Sequence, residues 1–479
     1  MRKSNFIIVL LLIINISFVL AGIKLIDKIN AIEEKMVVSV ISIIPTSNTD
    51  EKTIYTIYYS DGTTSSLEVK NGKDGEDAQN LTILDMYEAY VEKYGEISYS
   101  DFINQCFDLE LDTIDTYTYI NECLQSVGKI YCEFEEASYN RYPGGQTTTT
   151  INTVVSTGAC VIYKIDSEYT YFITNYHVVH NSDAYQHPIS QNMYIYLYGS
   201  ESHPVKLEDK TYDYGESSIY CEYVGGAITY DIALVKAKTE DVLAINENVK
   251  EIEFAESYYV GEDAIAIGNP NDGGISVTKG IVSVDNEYIT LSIDGTARNY
   301  RSIRIDTALY SGNSGGGLFN ELGQLIGIAN AGDSTDQNIN FAVPVDIVKA
   351  VCENVLYYQN DNDDTTNGVN KILLGVTVSS QNSKYIYDAE LGHGKIVEEI
   401  LINEISANSI AENLGLQSGD IIKGFVINGE EVMFDRYYQM GDYILYLTSQ
   451  TTISIIYYRD NVYTTSSYVI TTNDVLNVA

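Results

Sequence analysis

The chain has 479 residues, and 28 Lys and Arg against 67 Asp and Glu give a formal net charge of −39. Such an acidic balance argues against nucleic-acid binding and against adsorption to anionic lipid, because both require clustered basic side chains. The hydrophobic fraction of 45% is that of a globular protein, and the length allows about three domains of about 150 residues each.

The N-terminus has the pattern of an export signal. Arg2 and Lys3 precede an uncharged run from Ser4 to Ile23. A helix of that length just spans the hydrocarbon core of a bilayer, and the positive flank keeps its start in the cytoplasm. We therefore expect residues 1–23 to be a signal-anchor in the cell membrane with the rest of the chain extracytoplasmic. A removed signal peptide, which leaves a secreted protein, is the alternative.

Residues 24–116 are predicted to be an extracytoplasmic linker that carries a hairpin and a small helical module. The hairpin signal is Asp61-Gly62 between the alternating runs Thr53–Tyr59 and Thr63–Val69. Helical spacing follows over residues 81–115. No chemistry is visible in this region, and we interpret it as a spacer or interaction module.

The sequence pattern changes at residue 117, and we predict that residues 117–357 are mostly β. A short helix over Tyr119–Val127, a strand over Lys129–Phe134 and a polar loop over Ala137–Asn152 precede many short strands with Gly-rich turns. This spacing is typical of β-barrels and sandwiches. Residues 358–370 are a polar linker, and residues 371–479 mix strands with helices predicted over Ser409–Leu414 and Asp435–Leu447.

The six cysteines form no C-x-x-C pair and have no histidine at zinc spacing, so we expect structural thiols and no metal site. A pairing of Cys123 with Cys132 stays open at this stage.

Three segments of the β region carry residues suited to nucleophilic catalysis. His177 ends one predicted strand, Asp231 begins an apolar strand, and Ser314 lies between glycines. A serine hydroxyl needs a neighbouring base, an imidazole base needs a carboxylate to fix its tautomer, and the intermediate needs N–H donors at its oxyanion. Gly312 and Ser314 are the expected N–H donors. Each signal alone is common in structural roles, but the order His, Asp, Ser is that of the chymotrypsin triad.

The same segments resemble the signature blocks of HtrA/DegP-type trypsin-like serine proteases. The matching blocks are Thr174–Val179, Asp231–Leu234, Gly312–Gly316 and Asn340–Pro344. The resemblance implies two six-stranded β-barrels, roughly 117–242 and 248–345, with the active site between them and no cofactor. His177 and Asp231 would then come from the first barrel and Ser314 from the second.

The resemblance also implies a C-terminal PDZ domain over residues 371–479. Leu373, Leu374, Gly375 and Val376 match the segment that captures the carboxylate of a C-terminal peptide. The receiving strand would be Leu374–Val378 and the opposite wall the helix Asp435–Leu447. The alternative is that this domain only packs against the protease.

The substrate pocket is predicted from its place in the fold. Ala308, six residues before Ser314, forms its floor, and Ile328, Ala329 and Asn330 form one wall. These residues carry no charge, so we expect small aliphatic residues at the cleaved position. The chain departs from the family at Gly158-Ala159-Cys160, where a thiol that we expect to be buried replaces a glycine.

The function predicted from these features is an extracytoplasmic serine endopeptidase of protein quality control. The resemblance implies unfolded or damaged exported proteins as substrates, a homotrimer, and peptide binding at the PDZ groove. Two alternatives stay open at this stage: a peptide-binding chaperone or scaffold with a latent protease domain, and a processing protease dedicated to one partner.

Overall fold

The structure, a computed structural model, describes residues 40–48, 52–59, 64–70, 91, 116–141, 147–332, 336, 338–359, 368–388 and 393–478. The predicted anchor over residues 1–23 and nearly all of the predicted helical module lie outside these residues. Within the described part of the chain, no helix is both long enough and apolar enough to cross a bilayer. The chain divides into two compact units, Met1–Asp115 and Thr116–Ala479.

The described part of the first unit is a three-stranded antiparallel sheet. Its strands are β1 (Val40–Asn48), β2 (Lys52–Tyr59) and β3 (Thr64–Lys70), in the order β1-β2-β3. The structure pairs β2 with β3 across Asp61-Gly62, where the sequence predicts a hairpin. β1 lies in the region predicted to be linker. Its signal is weakened by Pro45, which lacks an N–H group for the ladder and lies at a register shift between β1 and β2.

The second unit begins with a closed six-stranded barrel in the order β10-β11-β6-β5-β4-β7, closed by the β7–β10 pair. The elements in chain order are α1 (Thr116–Leu124), β4 (Val127–Arg141), β5 (Thr147–Ile165), β6 (Tyr169–Thr174), α2 (Tyr176–Val179), β7 (Asn192–Leu197), β8 (Val205–Lys206), β9 (Tyr212–Asp213), β10 (Ile219–Ala227), β11 (Ile232–Lys238) and α3 (Thr239–Ile245). Alternate strand residues such as Ile130, Cys132 and Phe172 fill the barrel interior.

The prediction of a loop over Ala137–Asn152 is wrong for most of its length. β4 and β5 continue as a long hairpin in which Ala137 pairs with Ile151 and Tyr139 with Thr149. The β-branched run of threonines after Gln146 favours an extended backbone, and hydrogen bonds to the facing strand outweigh the polarity that suggested a loop.

Seven further strands build the second sheet. They are β12 (Glu253–Phe254), β13 (Asp263–Gly268), β14 (Ser276–Ser292), β15 (Ala297–Ile305), β16 (Gly317–Phe319), β17 (Gln324–Gly332) and β18 (Asn340–Pro344). The order β17-β16-β13-β14-β15-β18, closed by the β17–β18 pair, makes a ring of six strands, and β12 runs parallel to β17. The expected pair of six-stranded barrels is therefore present.

The helix α4 (Val345–Gln359) follows the second barrel and was not predicted from the sequence. Val348, Val351, Cys352 and Val355 are buried, at the spacing of one helix face. The helical spacing of these apolar residues is visible in the sequence, but no linking residues separate the helix from the strand β18, which ends at Pro344.

The C-terminal part is an α+β domain. Its elements are β19 (Val369–Ile372), β20 (Val376–Asp388), β21 (His393–Ile405), α5 (Ile410–Asn413), β22 (Ile421–Ile427), β23 (Glu430–Met433), α6 (Gln439–Ile444), β24 (Thr452–Arg459), β25 (Val462–Val469) and β26 (Val475–Val478). The strands β20-β21-β22-β24-β25 form one sheet with β23 on β22, and β19 pairs with β26.

The helix α6 is shorter than the predicted Asp435–Leu447. The Gln439 side chain accepts hydrogen bonds from the backbone N–H groups of Asp435 and Arg436, so these residues form a turn before the helix begins. α6 also joins the C-terminal domain to the protease region. Leu445 is buried in a core shared with α4, and the Asn354 amide donates to its carbonyl oxygen at 2.8 Å.

Candidate active site

A histidine and a buried aspartate form a hydrogen-bonded pair at one end of the first barrel. The His177 Nδ1 atom lies 3.0 Å from Asp231 Oδ1 and 2.9 Å from Oδ2. The backbone N–H of His177 donates to the same Oδ1 at 3.0 Å, and the Asn175 amide donates to the Asp231 carbonyl oxygen at 2.8 Å. Asp231 is fully buried, whereas the His177 side chain is 30% exposed. The pair therefore presents one imidazole edge outward from a fixed carboxylate.

Local backbone geometry places both residues. β6 ends at Thr174, and His177 lies in the single-turn helix α2 that follows the strand. Asp231 precedes β11 with a left-handed φ of 53°, a conformation that aspartate tolerates better than most residues. The two hydrogen bonds from His177 and the one from Asn175 hold it there.

The environment of His177 favours its charged form. Burial opposes protonation of the ring, but the charge of Asp231 and its hydrogen bond outweigh burial, and the pKa of His177 is raised above its ordinary value. A carboxylate in this position stabilises an imidazolium and keeps the neutral ring in the tautomer whose free nitrogen accepts a proton.

Ser314 lies in a glycine-rich segment between β15 and β16, here called the nucleophile loop (Ser311–Gly316). Gly312 has φ of 94° and Gly315 has φ of 86°. A Cβ atom on Gly312 would lie 2.2 Å from the carbonyl oxygen of Asn269, and one on Gly315 would lie 2.1 Å from that of Ala159. Both positions therefore require glycine for two reasons, conformation and space.

The nucleophile loop packs on the first barrel beside His177. The backbone N–H of Ala159 donates to the Ser314 carbonyl oxygen at 2.8 Å. A Cβ atom on Gly158 would lie 2.8 Å from a methyl group of Val178 and 3.0 Å from that same oxygen of Ser314. Gly158 thus touches both Ser314 and the residue that follows His177. The loop that holds Ser314 and the helix α2 that holds His177 therefore both border Gly158, and the assignment of His177, Asp231 and Ser314 as a catalytic triad stays a prediction.

The predicted pocket residues lie against the same loop. The backbone N–H of Gly315 donates to the Ala329 carbonyl oxygen at 3.0 Å, and the N–H of Ala329 donates to the Gly316 carbonyl oxygen at 2.9 Å. Ile328 is fully buried, and Ala308 is half-buried with its carbonyl oxygen bound to the Thr278 hydroxyl at 2.9 Å. Asn330 is buried, and both polar atoms of its amide lack a hydrogen-bond partner.

The predicted carboxylate-binding segment connects β19 to β20. Leu373 is 55% exposed, whereas Leu374 is buried and its carbonyl oxygen accepts from the Ala411 N–H at 2.9 Å. Gly375 has φ of 78°, and Val376 begins β20, two residues later than the predicted start of the receiving strand. Peptide binding at this segment stays a prediction.

The five described cysteines, Cys123, Cys132, Cys160, Cys221 and Cys352, are buried free thiols, so Cys123 and Cys132 do not pair. Cys160 is fully buried in the first barrel, and burial raises its pKa. A protonated, inaccessible thiol packs as a small apolar residue.

Sequence reasoning assigned no role to Lys129, Tyr131 or Asp272, which meet beside Asn271, a residue whose N–H group donates to the Ser311 carbonyl oxygen of the nucleophile loop. A single lysine in an apolar strand is the one signal that could have led to this cluster.

Comparisons with known proteins agree with this geometry. Residues 157–328 match the family described as trypsin-like peptidase domain. The chain is 30% identical over 282 residues to a serine protease Do-like HtrB of Bacillus subtilis, over 57% of this chain and 53% of the relative. It is 27% identical over 277 residues to an HtrA-like serine protease of Staphylococcus aureus (strain USA300), over 55% of this chain and 31% of the relative. The chain thus spans about half the length of the Bacillus relative.

Among solved structures, the HtrA-type protease AlgW with a decapeptide superimposes with a TM-score of 0.44 at 21% identity, over 74% of this chain and 97% of that chain.

Proposed function

We propose that this chain, whose residues 157–328 match the trypsin-like peptidase domain family, is a serine endopeptidase. The observation that carries the proposal is the His177–Asp231 pair at 2.9 Å with the Ser314 loop bonded beside it. A histidine held by a buried carboxylate next to a glycine-flanked serine is the arrangement that acyl transfer requires.

In the proposed reaction, Ser314 Oγ attacks the substrate carbonyl carbon while His177 takes the hydroxyl proton. Asp231 stabilises the resulting imidazolium without taking the proton itself. The N–H groups of Gly312 and Ser314 stabilise the oxyanion. His177 then protonates the leaving amine. In the second half of the reaction, water attacks the acyl-enzyme while His177 takes its proton, the ester bond to Ser314 Oγ breaks, and His177 returns the proton to that oxygen as the carboxylic acid product leaves.

We infer that the substrates are unfolded or damaged exported proteins, on the ground that blocks such as Thr174–Val179 and Gly312–Gly316 resemble those of HtrA/DegP-type proteases. The export signal of Arg2-Lys3 and Ser4–Ile23 supports an extracytoplasmic enzyme held at the membrane. The proposal of a homotrimer rests on the same resemblance. The uncharged pocket residues Ala308 and Ala329 support cleavage after small aliphatic residues.

Degradation of casein by the full chain in detergent tests the proposed activity. We expect Ser314→Ala to abolish degradation, because the triad acts as a unit. Ser292→Ala is the matched control, since Ser292 is an exposed residue at the end of β14. Equal degradation by wild type and Ser314→Ala would overturn the mechanism. An inert wild type that still binds casein would favour a scaffold with a latent protease domain, and cleavage confined to one partner would favour a dedicated processing protease.

We further propose that the C-terminal domain binds the free C-terminus of an extended peptide at Leu373–Val376. The position of β20 at the edge of its sheet supports this, because an extended peptide can add to an edge strand as a further strand. Calorimetric titration of the full-length Ser314→Ala variant with an apolar-ended peptide should show binding of the free acid and none of the C-terminal amide. Equal affinity for the two would show that this segment does not recognise chain ends.

A further inference from the structure

Lys129 of β4 is a buried cation in the first barrel. Its side chain is fully buried, and its ammonium nitrogen has no hydrogen-bond partner. The nitrogen lies over the rings of Tyr131 and Tyr196, at 5.5 and 5.6 Å from their centroids, and 3.9 Å from Asp272 Oδ1. A buried charge is costly unless an opposite charge or a ring face compensates it. Burial lowers the pKa of Lys129, and the charge of Asp272 is the largest effect that opposes this shift, so Asp272 stabilises the charged ammonium group.

Asp272 is bound by a second group of the same strand. The Tyr131 hydroxyl donates to Asp272 Oδ1 at 2.5 Å. Burial, and next the Asp272 contact, raise the pKa of Tyr131, which keeps the hydroxyl protonated as the donor. His203 Nδ1 lies 3.5 Å from Asp272 Oδ2, and the Asn269 amide donates to Oδ1 at 3.3 Å. One carboxylate of the second barrel is thus anchored on β4 of the first.

Asp272 belongs to a strained segment, here called the supporting turn (Asn269–Gly274). Asn271 has φ of 53° and Asp272 has φ of 56°, two successive left-handed residues that are not glycine. Such conformations persist where the surroundings hold them. The Asn269 side chain also ties the two ends of the turn, since its Oδ1 accepts from the Gly274 N–H at 3.1 Å.

The supporting turn lies directly against the nucleophile loop. The Asn271 N–H donates to the Ser311 carbonyl oxygen at 2.6 Å. The Asn269 carbonyl oxygen lies so close to Gly312 that a Cβ atom there would be 2.2 Å away. The peptide unit between Ser311 and Gly312 carries the Gly312 N–H, so a shift of the turn changes the direction of that donor.

We propose that Lys129 and Tyr131 are positioning residues that fix Asp272, and through it the supporting turn and the N–H donor of Gly312. Neither residue touches the reacting atoms. The catalytic consequence rests on the function proposed above, whereas the anchoring itself does not depend on any activity.

Tyr131→Phe is the main test, because it removes the hydroxyl that binds Asp272 and keeps the ring. We expect kcat for peptide hydrolysis by the full chain to fall about tenfold with KM changed less than about twofold, since a misdirected donor acts on the transition state. Lys129→Met removes the charge at similar length and should lower kcat in the same direction. If Lys129→Met loses the circular-dichroism spectrum of the folded protein, the test rests on kcat and hydrogen exchange of Tyr131→Phe.

Tyr196→Phe is the matched control. Tyr196 is also fully buried, and its hydroxyl donates to the Tyr214 carbonyl oxygen at 2.6 Å and not to Asp272. We expect its kcat to stay within about twofold of wild type, because the substitution keeps the ring that faces Lys129 and removes no hydrogen bond to Asp272. Equal losses in Tyr131→Phe and Tyr196→Phe would show general loosening of the barrel and would overturn the positioning role.

Hydrogen exchange separates this inference from the proposed activity. In Tyr131→Phe, the amides of residues 269–275 and 311–316 should exchange faster than in wild type, and in Tyr196→Phe they should not. This result is readable even if the wild type proves inert, in which case the proposed function fails and the anchoring stands. Wild-type exchange together with wild-type kcat in Tyr131→Phe would overturn the inference.

Discussion

Replacing Asp231 with asparagine should disable the proposed base while preserving its shape. In the structure, the backbone N–H of His177 donates to Asp231 Oδ1 at 3.0 Å, while Oδ2 lies 2.9 Å from the ring Nδ1. That backbone N–H can only donate a hydrogen bond, so the oxygen of an asparagine amide, and not its NH₂ group, would occupy the Oδ1 position. Its NH₂ group would then face Nδ1 and force the ring proton onto Nε2, the atom that must accept the proton of Ser314.

The expected cost follows from this tautomer change. In the chymotrypsin-type triad the same substitution lowers kcat by about 10⁴-fold, and we expect a loss of about 10³- to 10⁴-fold here. That loss corresponds to about 4 to 5 kcal/mol of transition-state stabilisation. Peptide hydrolysis with purified full chain gives kcat, and circular dichroism checks folding.

Asp166→Asn is a suitable control. Asp166 also accepts hydrogen bonds from two backbone N–H groups, those of Glu168 and Tyr169, at 2.8 Å each. It lies before the start of β6, whereas His177 follows the other end of that strand. It should keep wild-type kcat. A folded Asp231→Asn variant within about tenfold of wild type would refute the tautomer reasoning.

Three further predictions concern pH, specificity and stability. Because the pKa of His177 is raised and only the neutral ring accepts a proton, kcat should fall as the pH decreases through a pKa above the usual value of about 6.5; a pH–rate profile whose acidic limb lies below that value would contradict this. Casein fragments identified by mass spectrometry should end in Val, Ala or Ile, as the uncharged pocket at Ala308 predicts, and ends mainly in Lys or Arg would refute it. Arg301→Met should lower the free energy of unfolding by about 3 to 5 kcal/mol, because it leaves Asp442, bonded at 2.6 Å, without its buried partner. Arg298→Met, at a more exposed ion pair, should lower the free energy of unfolding by at most about 1 kcal/mol in the same denaturant titration. Equal losses in the two variants would show that burial of the Arg301–Asp442 pair does not increase its contribution to stability.

The barrels and the His177–Asp231 pair could be predicted from local sequence patterns, whereas the role of Ser314 as their partner stays a prediction. His177, Asp231 and Ser314 each stand at a strand end or in a glycine turn, where chemistry and backbone geometry restrict the residue type together. Gly312 and Gly315 show this directly, since their left-handed φ values and crowded Cβ positions admit only glycine.

Long-range anchoring could not be predicted in the same way. Tyr131 and Asp272 are 141 positions apart in the chain, and neither lies in a motif, so their contact depends on how two barrels pack. The extension of β4 and β5 through residues read as a loop has a similar origin, because pairing with the facing strand decides it. The Arg301–Asp442 pair likewise joins regions that sequence patterns treat as separate domains.

Labelling with a fluorophosphonate followed by peptide mass spectrometry tests the central claim most directly. The reagent forms a stable bond with a serine hydroxyl that a neighbouring base has activated. We predict a single adduct on Ser314 of the full chain, slowed by Asp231→Asn and absent from His177→Ala. An unlabelled wild type, or an adduct on any other serine, would contradict the assignment of Ser314, His177 and Asp231 as the catalytic triad.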